Sequence, residues 1–374
     1  MSLRDYRAAQ PHSRWMTRCL ELARKAAGQT APNPMVGSVI LKDDLVVGEG
    51  FHPGAGQPHA EVFALKQAGD KAYGATLYVN LEPCNHFGRT PPCTEAIIQD
   101  GVARVVVGIV DPDSRVAGSG IARLREAGIE VMVGVEQEAC ERLNQPFLWR
   151  IRHQRPLGIL KYAMTLDGKI ATNTGHSSWV TGSAARAEVH KLRATCDAVV
   201  VGGNTVRQDN PRLTTHGHSP HNPRRIVMSQ CLELPDQANL WQVQTAPTLI
   251  FTSPEAEPDR IQRLRDQGVE VTVLAALTPA AVTRHLYQLG CSSVLWECGG
   301  TLAAAALKDG VIDQIWAFIA PKLIGGKIAP GPIGDLGLEQ MDQAIPLANL
   351  SVQPIGEDWL IRGEIHGSDT HPEA

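Results

Sequence analysis

Three residues constrain this chain more than any other feature: His59, Cys84 and Cys93. One imidazole and two thiols supply three ligands for a zinc ion and leave its fourth position to water. Glu61 stands two residues after the histidine, need not bind the metal, and is placed to move protons for that water. The surrounding residues say what must hold these groups. His59-Ala-Glu-Val-Phe-Ala-Leu-Lys is an apolar-periodic run that reads as a helix, with His59 and Glu61 in its first turn. Pro83-Cys84 follows the strand-like run Ala75-Thr-Leu-Tyr-Val-Asn-Leu, and Pro91-Pro92-Cys93-Thr94-Glu95 reads as the start of a further helix, since proline suits the first helical turn.

The chemistry explains why these residue types stand together. Replacing an amine by oxygen needs a stronger nucleophile than water at neutral pH, and zinc lowers the pKa of bound water from about 15.7 to about 7. Glu61 can then take a proton from the water and deliver it to the departing nitrogen. His-x-Glu followed by Pro-Cys and a second Cys, with the Glu outside the metal shell, is the signature of zinc nucleobase deaminases. Here Asn85 to Pro92 separate the thiols, more than the compact Cys-x-x-Cys allows. The competing readings are a closed zinc site with His86 as fourth ligand, or two ordinary buried cysteines; either leaves Glu61 without a task.

Length and charge bound the rest. The 374 residues exceed one typical core, so two domains are expected, 1–150 and 151–374. Residues 1–150 hold 16 Lys and Arg against 17 Asp and Glu, and the remainder 19 against 22, which argues against a phosphate-backbone binder in either half. Two of the eight cysteines go to the metal and the others show no disulfide-like spacing. The N-terminus lacks an apolar signal core and no apolar run reaches membrane-spanning length. A reducing cytoplasm is the expected compartment.

In the first half, residues 12–27 have helical spacing, and Val36 to Leu41 and Leu45 to Gly50 form a hairpin around Asp43-Asp44. Asn33 is fixed between two prolines, either as a turn residue or as a donor and acceptor aimed at substrate. His52 is either a substrate contact or a loop residue. Strands at Ala103 to Val110 and Ile129 to Val133 alternate with helices, one of them Ser119 to Gly128, so this half is a three-layer αβα domain. Gly118-Ser119-Gly120 lacks the third glycine and the distant acid of a dinucleotide fingerprint and reads as a helix-start turn. Glu141 to Pro156, broken by Pro146 and Pro156, is the expected connector.

In the second half, a strand and turn at Leu157 to Lys169, a helix from Ser183 to Thr195 and a strand over Asp197 to Gly203 follow in turn. Ser293 to Glu297 is a strand running into Cys298-Gly-Gly-Thr301 and a helical run, Leu302 to Leu307. Bare amides at such a helix start bind phosphate, and the same turn also occurs with no ligand.

Two stretches, Ala31-Pro-Asn-Pro-Met-Val-Gly37 and Leu81-Glu-Pro-Cys-Asn-His-Phe-Gly-Arg-Thr-Pro-Pro-Cys93, with His59-Ala-Glu, closely resemble the pyrimidine deaminase of riboflavin biosynthesis, which is often fused to a C-terminal reductase. The resemblance spans nearly the whole chain. It implies a cytidine-deaminase-like N-terminal domain and a dihydrofolate-reductase-like α/β C-terminal domain, one zinc ion per chain and NADPH. It implies that His86 and Arg89 help bind a phosphorylated pyrimidine. In the second half it gives Ala163, Trp179, Thr205, Asp209, Ser229, Gly299, Gly300, Thr301, Leu302, Ala303, Ala304 and Ala305 to the cofactor. Ser177, Arg193, Leu213 and Glu297 go to the substrate. Lys161 and Asp209 are the candidates for proton delivery beside the hydride transfer, and Lys161 reads equally as a strand-end surface lysine. One position departs from the family: His216 stands where an arginine meets the substrate phosphate, and Arg212 is the expected replacement. The expected activity is zinc-dependent deamination of a phosphoribosylated diaminopyrimidinone, then NADPH-dependent reduction of its ribosyl group. The alternatives are a nucleic-acid editing deaminase with an RNA-binding second half, which the acidic second half disfavours, and a zinc-stabilised binding module. No nucleic-acid or membrane partner is expected, and self-association is compatible with the sequence.

Overall fold

The computed structural model describes residues 3–86, 91–113 and 117–365. The chain divides into two compact units, Met1–Gln154 and Arg155–Ala374.

In the first unit, α1 (Leu3–Arg24) precedes the hairpin β1 (Gly37–Lys42) and β2 (Leu45–Phe51). Asp43 and Asp44 turn it with φ of 51° and 60°. Left-handed backbone at both central residues gives a two-residue loop the twist its strands need. Then follow α2 (Ala60–Ala68), β3 (Thr76–Leu81), α3 (Cys93–Gln99), β4 (Arg104–Ile109), α4 (Ser119–Glu126), β5 (Glu130–Val133), α5 (Gln137–Leu143) and α6 (Gln145–His153). The sheet order is β2-β1-β3-β4-β5; the first three strands pair antiparallel and the last three parallel. After their first residue, β3 and β4 are buried at every position, the pattern of strands covered on both faces.

Glycines show how the layers form. A Cβ on Gly37 would lie 2.1 Å from the Cys19 carbonyl of α1, and one on Gly48 2.1 Å from the Ala64 carbonyl of α2, so each helix backbone sits directly on the hairpin. Gly37 pairs with Phe51 and Ile40 with Gly48, so Gly37 and Gly48 point to opposite faces. The two helices therefore cover opposite sides of the sheet, giving the expected three layers.

The expected connector is helical. Pro146 lies in the first turn of α6, where a missing N–H costs nothing, and starts a helix instead of breaking one. The boundary expected at 150/151 falls inside α6, whereas the units part after Gln154.

The second unit runs β6 (Leu157–Thr165), α7 (Ser183–Thr195), β7 (Ala198–Gly202), α8 (Gly203–Asp209), β8 (Arg224–Met228), β9 (Thr248–Thr252), α9 (Pro258–Asp266), β10 (Glu270–Val273), α10 (Pro279–Gln288), β11 (Ser293–Trp296), α11 (Gly300–Lys308), β12 (Gln314–Ala320), β13 (Leu347–Ile355) and β14 (Asp358–Ile365). Its sheet order is β10-β9-β8-β7-β11-β6-β12-β14-β13. Seven strands from β10 to β12 are parallel, and the β13–β14 hairpin closes one edge antiparallel. β11 returns to pair between β7 and β6, so the carboxyl ends of these three strands meet where the winding reverses, the place where open α/β sheets bind ligands. Among the described residues no helix is long and apolar enough to cross a membrane. All eight cysteines are free.

Candidate active sites

The first site forms at the carboxyl end of β3 and the starts of α2 and α3. His59 caps α2 in extended backbone, φ −76° and ψ 164°, one residue before the helical turn expected for it, while Glu61 lies inside that turn. Cys84 follows β3, and Cys93 is the first residue of α3. His59 Nδ1 is 3.2 Å from Cys93 Sγ and 3.4 Å from Cys84 Sγ, and all three ligand atoms lie within 4.8 Å of one another. Tetrahedral zinc with ordinary Zn–N and Zn–S bonds puts N and S about 3.5 Å apart, so this triangle fits the ion. The Cys93 thiol and His59 hold Cys84 as thiolate against the opposing effect of burial, at about 4, while Cys93 is driven upward.

Glu61 is 3% exposed, and its Oε2 has no hydrogen-bond partner. Burial, then the neighbouring Cys84, pushes its carboxyl up to about 7. A buried carboxylate oxygen without a partner is rare in a packed domain, and beside a His/Cys/Cys triangle it is aimed at work. His86 is exposed and stands outside the only described metal-ligand group, so the structure lends no support to a closed four-ligand site. Arg89 lies outside the described residues.

Both ring nitrogens of His52 meet protein partners. Its Nδ1 meets the Pro58 carbonyl at 3.0 Å and its Nε2 the Asn33 amide nitrogen at 3.1 Å. These partners fix Nδ1 as the donor and leave Nε2 to accept. The ring stands edge-on to His59, 5.4 Å between centroids, and so supports the backbone that carries the ligand. Three further positioning residues carried no recognisable signal. Asn80 accepts from Gly37 N at 2.7 Å and donates to the Met35 carbonyl at 2.9 Å, and Asn144 grips both backbone groups of Met35. Glu82 accepts from the amides of Asp111, Gly118, Gly120 and Ile121, which makes Gly118-Ser119-Gly120 the start of α4. Cys84→Ser should lose most of the bound zinc, because serine offers no thiolate. Metal analysis of the purified variant checks this, and full occupancy would remove Cys84 from the ligand set.

The second site lies at the carboxyl ends of β6, β7 and β11. Glu297 directly follows β11 and accepts from Arg193 of α7 in a two-pronged pair, Nη2 to Oε2 at 3.0 Å with Nε on Oε1. Lys161 of β6 stands 3.7 Å from the same Oε2. All three side chains are largely buried, at 9, 12 and 17% exposure for Glu297, Arg193 and Lys161. Burial alone would raise the Glu297 carboxyl, but Arg193 and Lys161 outweigh it and hold it at about 2. Burial lowers Lys161 from the usual lysine range, partly countered by Glu297.

Around this triad, Gly299 caps α11 and its missing Cβ faces open space. A Cβ on Gly300 would instead lie 3.0 Å from the Gly331 carbonyl. Ser229 follows β8, and a Cβ on Gly203 would lie 3.1 Å from its Oγ; Thr205 is in α8, and Ala163 is in β6. Trp179 is 69% exposed with the Arg186 guanidinium 4.5 Å above its ring. Asp209 meets Ser177 Oγ at 3.5 Å, with no ion pair to Lys161. Leu213 is buried at φ 53°, and Arg212 is exposed. Thr301, Leu302, Ala304 and Ala305 continue α11, but Ala303 points into the apolar core.

Both units match known proteins. Residues 9–109 match the cytidine and deoxycytidylate deaminase zinc-binding region, and residues 156–361 the RibD C-terminal domain. The chain is 60% identical to riboflavin biosynthesis protein RibD of Synechocystis over 96% of its own length and 98% of the relative's. It is 44% identical to RibD of Aquifex aeolicus over 93% and 96%. Among solved structures, Acinetobacter baumannii RibD superposes with a TM-score of 0.85 at 38% identity, covering 96% of this chain and 99% of that one. A Thermotoga maritima protein described as a diaminohydroxyphosphoribosylaminopyrimidine deaminase and 5-amino-6-(5-phosphoribosylamino)uracil reductase gives 0.84 at 35% identity, with the same coverage. With a zinc-binding deaminase region in its first unit and a RibD C-terminal domain in its second, the chain belongs to the RibD family of riboflavin biosynthesis proteins.

Proposed function

We propose that this chain is a bifunctional enzyme of riboflavin biosynthesis. The first unit deaminates 2,5-diamino-6-ribosylamino-4(3H)-pyrimidinone 5′-phosphate, and the second reduces the ribosyl group of the product to a ribityl chain with NADPH. The observation that carries the first half is Glu61, buried beside the His59/Cys84/Cys93 triangle with a carboxylate oxygen unpaired. Those three residues would hold zinc, which when bound would supply a water acidic enough to attack at neutral pH. Glu61, buried beside the triangle with one oxygen unpaired, would take the proton and return it to the departing amine. Asn33 and His86, with Arg89, are assigned to the substrate; His52 is reassigned to holding Pro58 and Asn33.

The Gly299–Ala305 helix start would hold NADPH, which when bound would supply a hydride to C1′ of the sugar. As the bond from C1′ to the ring oxygen breaks, that oxygen needs a proton from the protein. Lys161 is the better donor: burial makes its ammonium more acidic, and Glu297 holds it in place. Asp209, paired with Ser177, is the second candidate. Arg193, Glu297, Ser177, Leu213 and Arg212 are assigned to substrate. Ala163, Trp179, Thr205, Ser229 and the Gly299–Ala305 helix start are assigned to the cofactor, with Ala303 acting through packing. Free cysteines throughout support a cytoplasmic setting, and the absence of a basic half argues against a nucleic-acid partner. Exposed Leu350, Val352 and Trp359 along the β13–β14 edge favour self-association.

Zinc-loaded protein given the diaminopyrimidinone phosphate should release ammonia and then oxidise NADPH. Failure to oxidise NADPH when the deaminated intermediate is supplied directly would refute the second half. Gly299→Asp tests the cofactor site more cleanly than a change at Gly300, where any side chain meets backbone of residues 331–334. A like charge at the helix start should weaken NADPH about tenfold or more, roughly 1.4 kcal/mol, while deamination continues. Unchanged NADPH binding would assign the turn to packing.

A further inference from the structure

Four consecutive residues ahead of α7 each have a backbone group held by a charged side chain. The Lys322 ammonium donates to the carbonyls of Trp179 at 3.0 Å and Val180 at 2.8 Å. Arg186 Nη1 donates to the Thr181 carbonyl at 2.8 Å, and the Gly182 amide donates to Asp358 Oδ2 at 2.7 Å. Lys322 follows β12, Arg186 lies in α7 and Asp358 opens β14. Lys322 is itself held in place. Leu166 N donates to its carbonyl at 2.9 Å, and Asp167 Oδ2 accepts from the amides of Ile324 at 3.3 Å and Gly325 at 2.7 Å.

Exposed loop carbonyls are ordinarily satisfied by water, so three charged side chains converging here do more than remove unpaired groups. What they fix in place is Trp179, whose side chain is 69% exposed. The burial of apolar surface would select the reverse, an indole turned inward. The Arg186 guanidinium covers one face, 4.5 Å from the ring centroid, so this one side chain holds both the Thr181 carbonyl and the indole. The opposite face is left to solvent. A fixed aromatic face suits a planar heteroaromatic ring, which stacks on it without the entropic cost of ordering a mobile side chain.

We propose that Lys322, Arg186 and Asp358 are positioning residues that hold the Trp179 indole as a preformed platform for one ring of the cofactor. This rests on reading the second unit as an NADPH-dependent reductase. The segment that carries Lys322 also reaches the other stretch assigned to NADPH: Gly334 N donates to the Gly300 carbonyl at 2.9 Å, in the first turn of α11. Residues 322–334 therefore brace the indole and the helix start together. Lys322 is spent on backbone carbonyls and Arg186 keeps to the far side of the indole, so both act through Trp179. Losing either frees the indole from its stacking position, which weakens binding without altering the hydride step.

In the full zinc-loaded chain, NADPH affinity is measured from the change in its own fluorescence on binding. Lys322→Met and Arg186→Met should each weaken NADPH about three- to tenfold, with kcat at saturating NADPH little changed. Lys322→Arg keeps a cation with enough donors for both carbonyls and should stay close to the parent. In a Trp179→Leu chain, already weakened, adding Lys322→Met or Arg186→Met should change affinity by less than about twofold, because residues that act through one indole are not additive. Reduced nicotinamide mononucleotide and 2′,5′-ADP carry one ring of NADPH each. By calorimetry, one of the two should lose affinity in Lys322→Met and the other should not, which identifies the ring that stacks. Loss on both fragments alike would mean a loosened fold and would overturn the inference. Full additivity in the Trp179→Leu chain would also overturn it, since the cations would then act without the indole. So would parent-like NADPH affinity in both variants, or an effect confined to KM for the deaminated intermediate, which would put the pyrimidine on Trp179. A parent chain that binds no NADPH would instead bring down the reductase reading, and this inference with it.

Discussion

Glu61→Gln should abolish deamination, retain zinc and leave reduction intact. The amide nearly keeps the shape of the carboxylate, and Glu61 stands outside the ligand triangle, so the metal has no reason to leave. What is lost is the group that moves protons, a contribution of roughly a hundredfold to ten-thousandfold for a positioned acid–base residue. The reductase residues all lie beyond Arg155, in a unit with its own core. Ammonia release and zinc content are measured on one preparation, with NADPH oxidation followed after supplying the deaminated intermediate. Near-normal deamination by a zinc-loaded variant would sink the assignment of Glu61. Loss of both activities in a folded protein would mean that the two units are coupled.

The second large effect is expected at Glu297. Glu297→Gln leaves Arg193 and Lys161 buried without a counter-charge, and removing one partner of a buried ion pair costs roughly 3–5 kcal/mol. A carboxyl held at about 2 instead of its ordinary 4.5 contributes about 3 kcal/mol at neutral pH, a similar magnitude. Because the folded value is the depressed one, this stabilisation is complete above about 4.5 and disappears as pH falls toward about 2. Denaturant unfolding should show the second unit of Glu297→Gln strongly weakened at pH 7, and closer to the parent at pH 3. Reduction should be lost, since Lys161 loses its anchor, while ammonia release persists. A difference under about 1 kcal/mol at pH 7 would mean that water reaches Arg193 and Lys161 and replaces the carboxylate.

Much of this protein was legible before any fold was known, because the relevant rules are local. The His59/Cys84/Cys93 cluster, with Glu61 beside it, was identifiable from residue type and spacing, since few side chains can hold a metal or shuttle a proton beside it. The α7 helix runs from Ser183 to Thr195 as its periodicity predicts, and the Asp43-Asp44 turn follows from hairpin geometry. Local rules also misled. Pro146 reads equally as a chain break or as the first turn of a helix, and only packing selects the helix. His52 next to a metal motif reads as a substrate contact or a loop residue, and only the fold shows that Pro58 and Asn33 partner both its nitrogens. The roles of Asn80, Asn144 and Glu82 are invisible in sequence, because each satisfies backbone groups of a distant segment. The same holds for the Lys161–Glu297–Arg193 triad and the clamped backbone of residues 179–182, whose members come from separate strands, helices and loops. The sequence determined which chemistry the chain can perform, because that depends on functional groups. Tertiary structure decided which charges face each other and which nitrogens remain free, because those are set by how strands order themselves in a sheet and which backbone groups need a partner once buried.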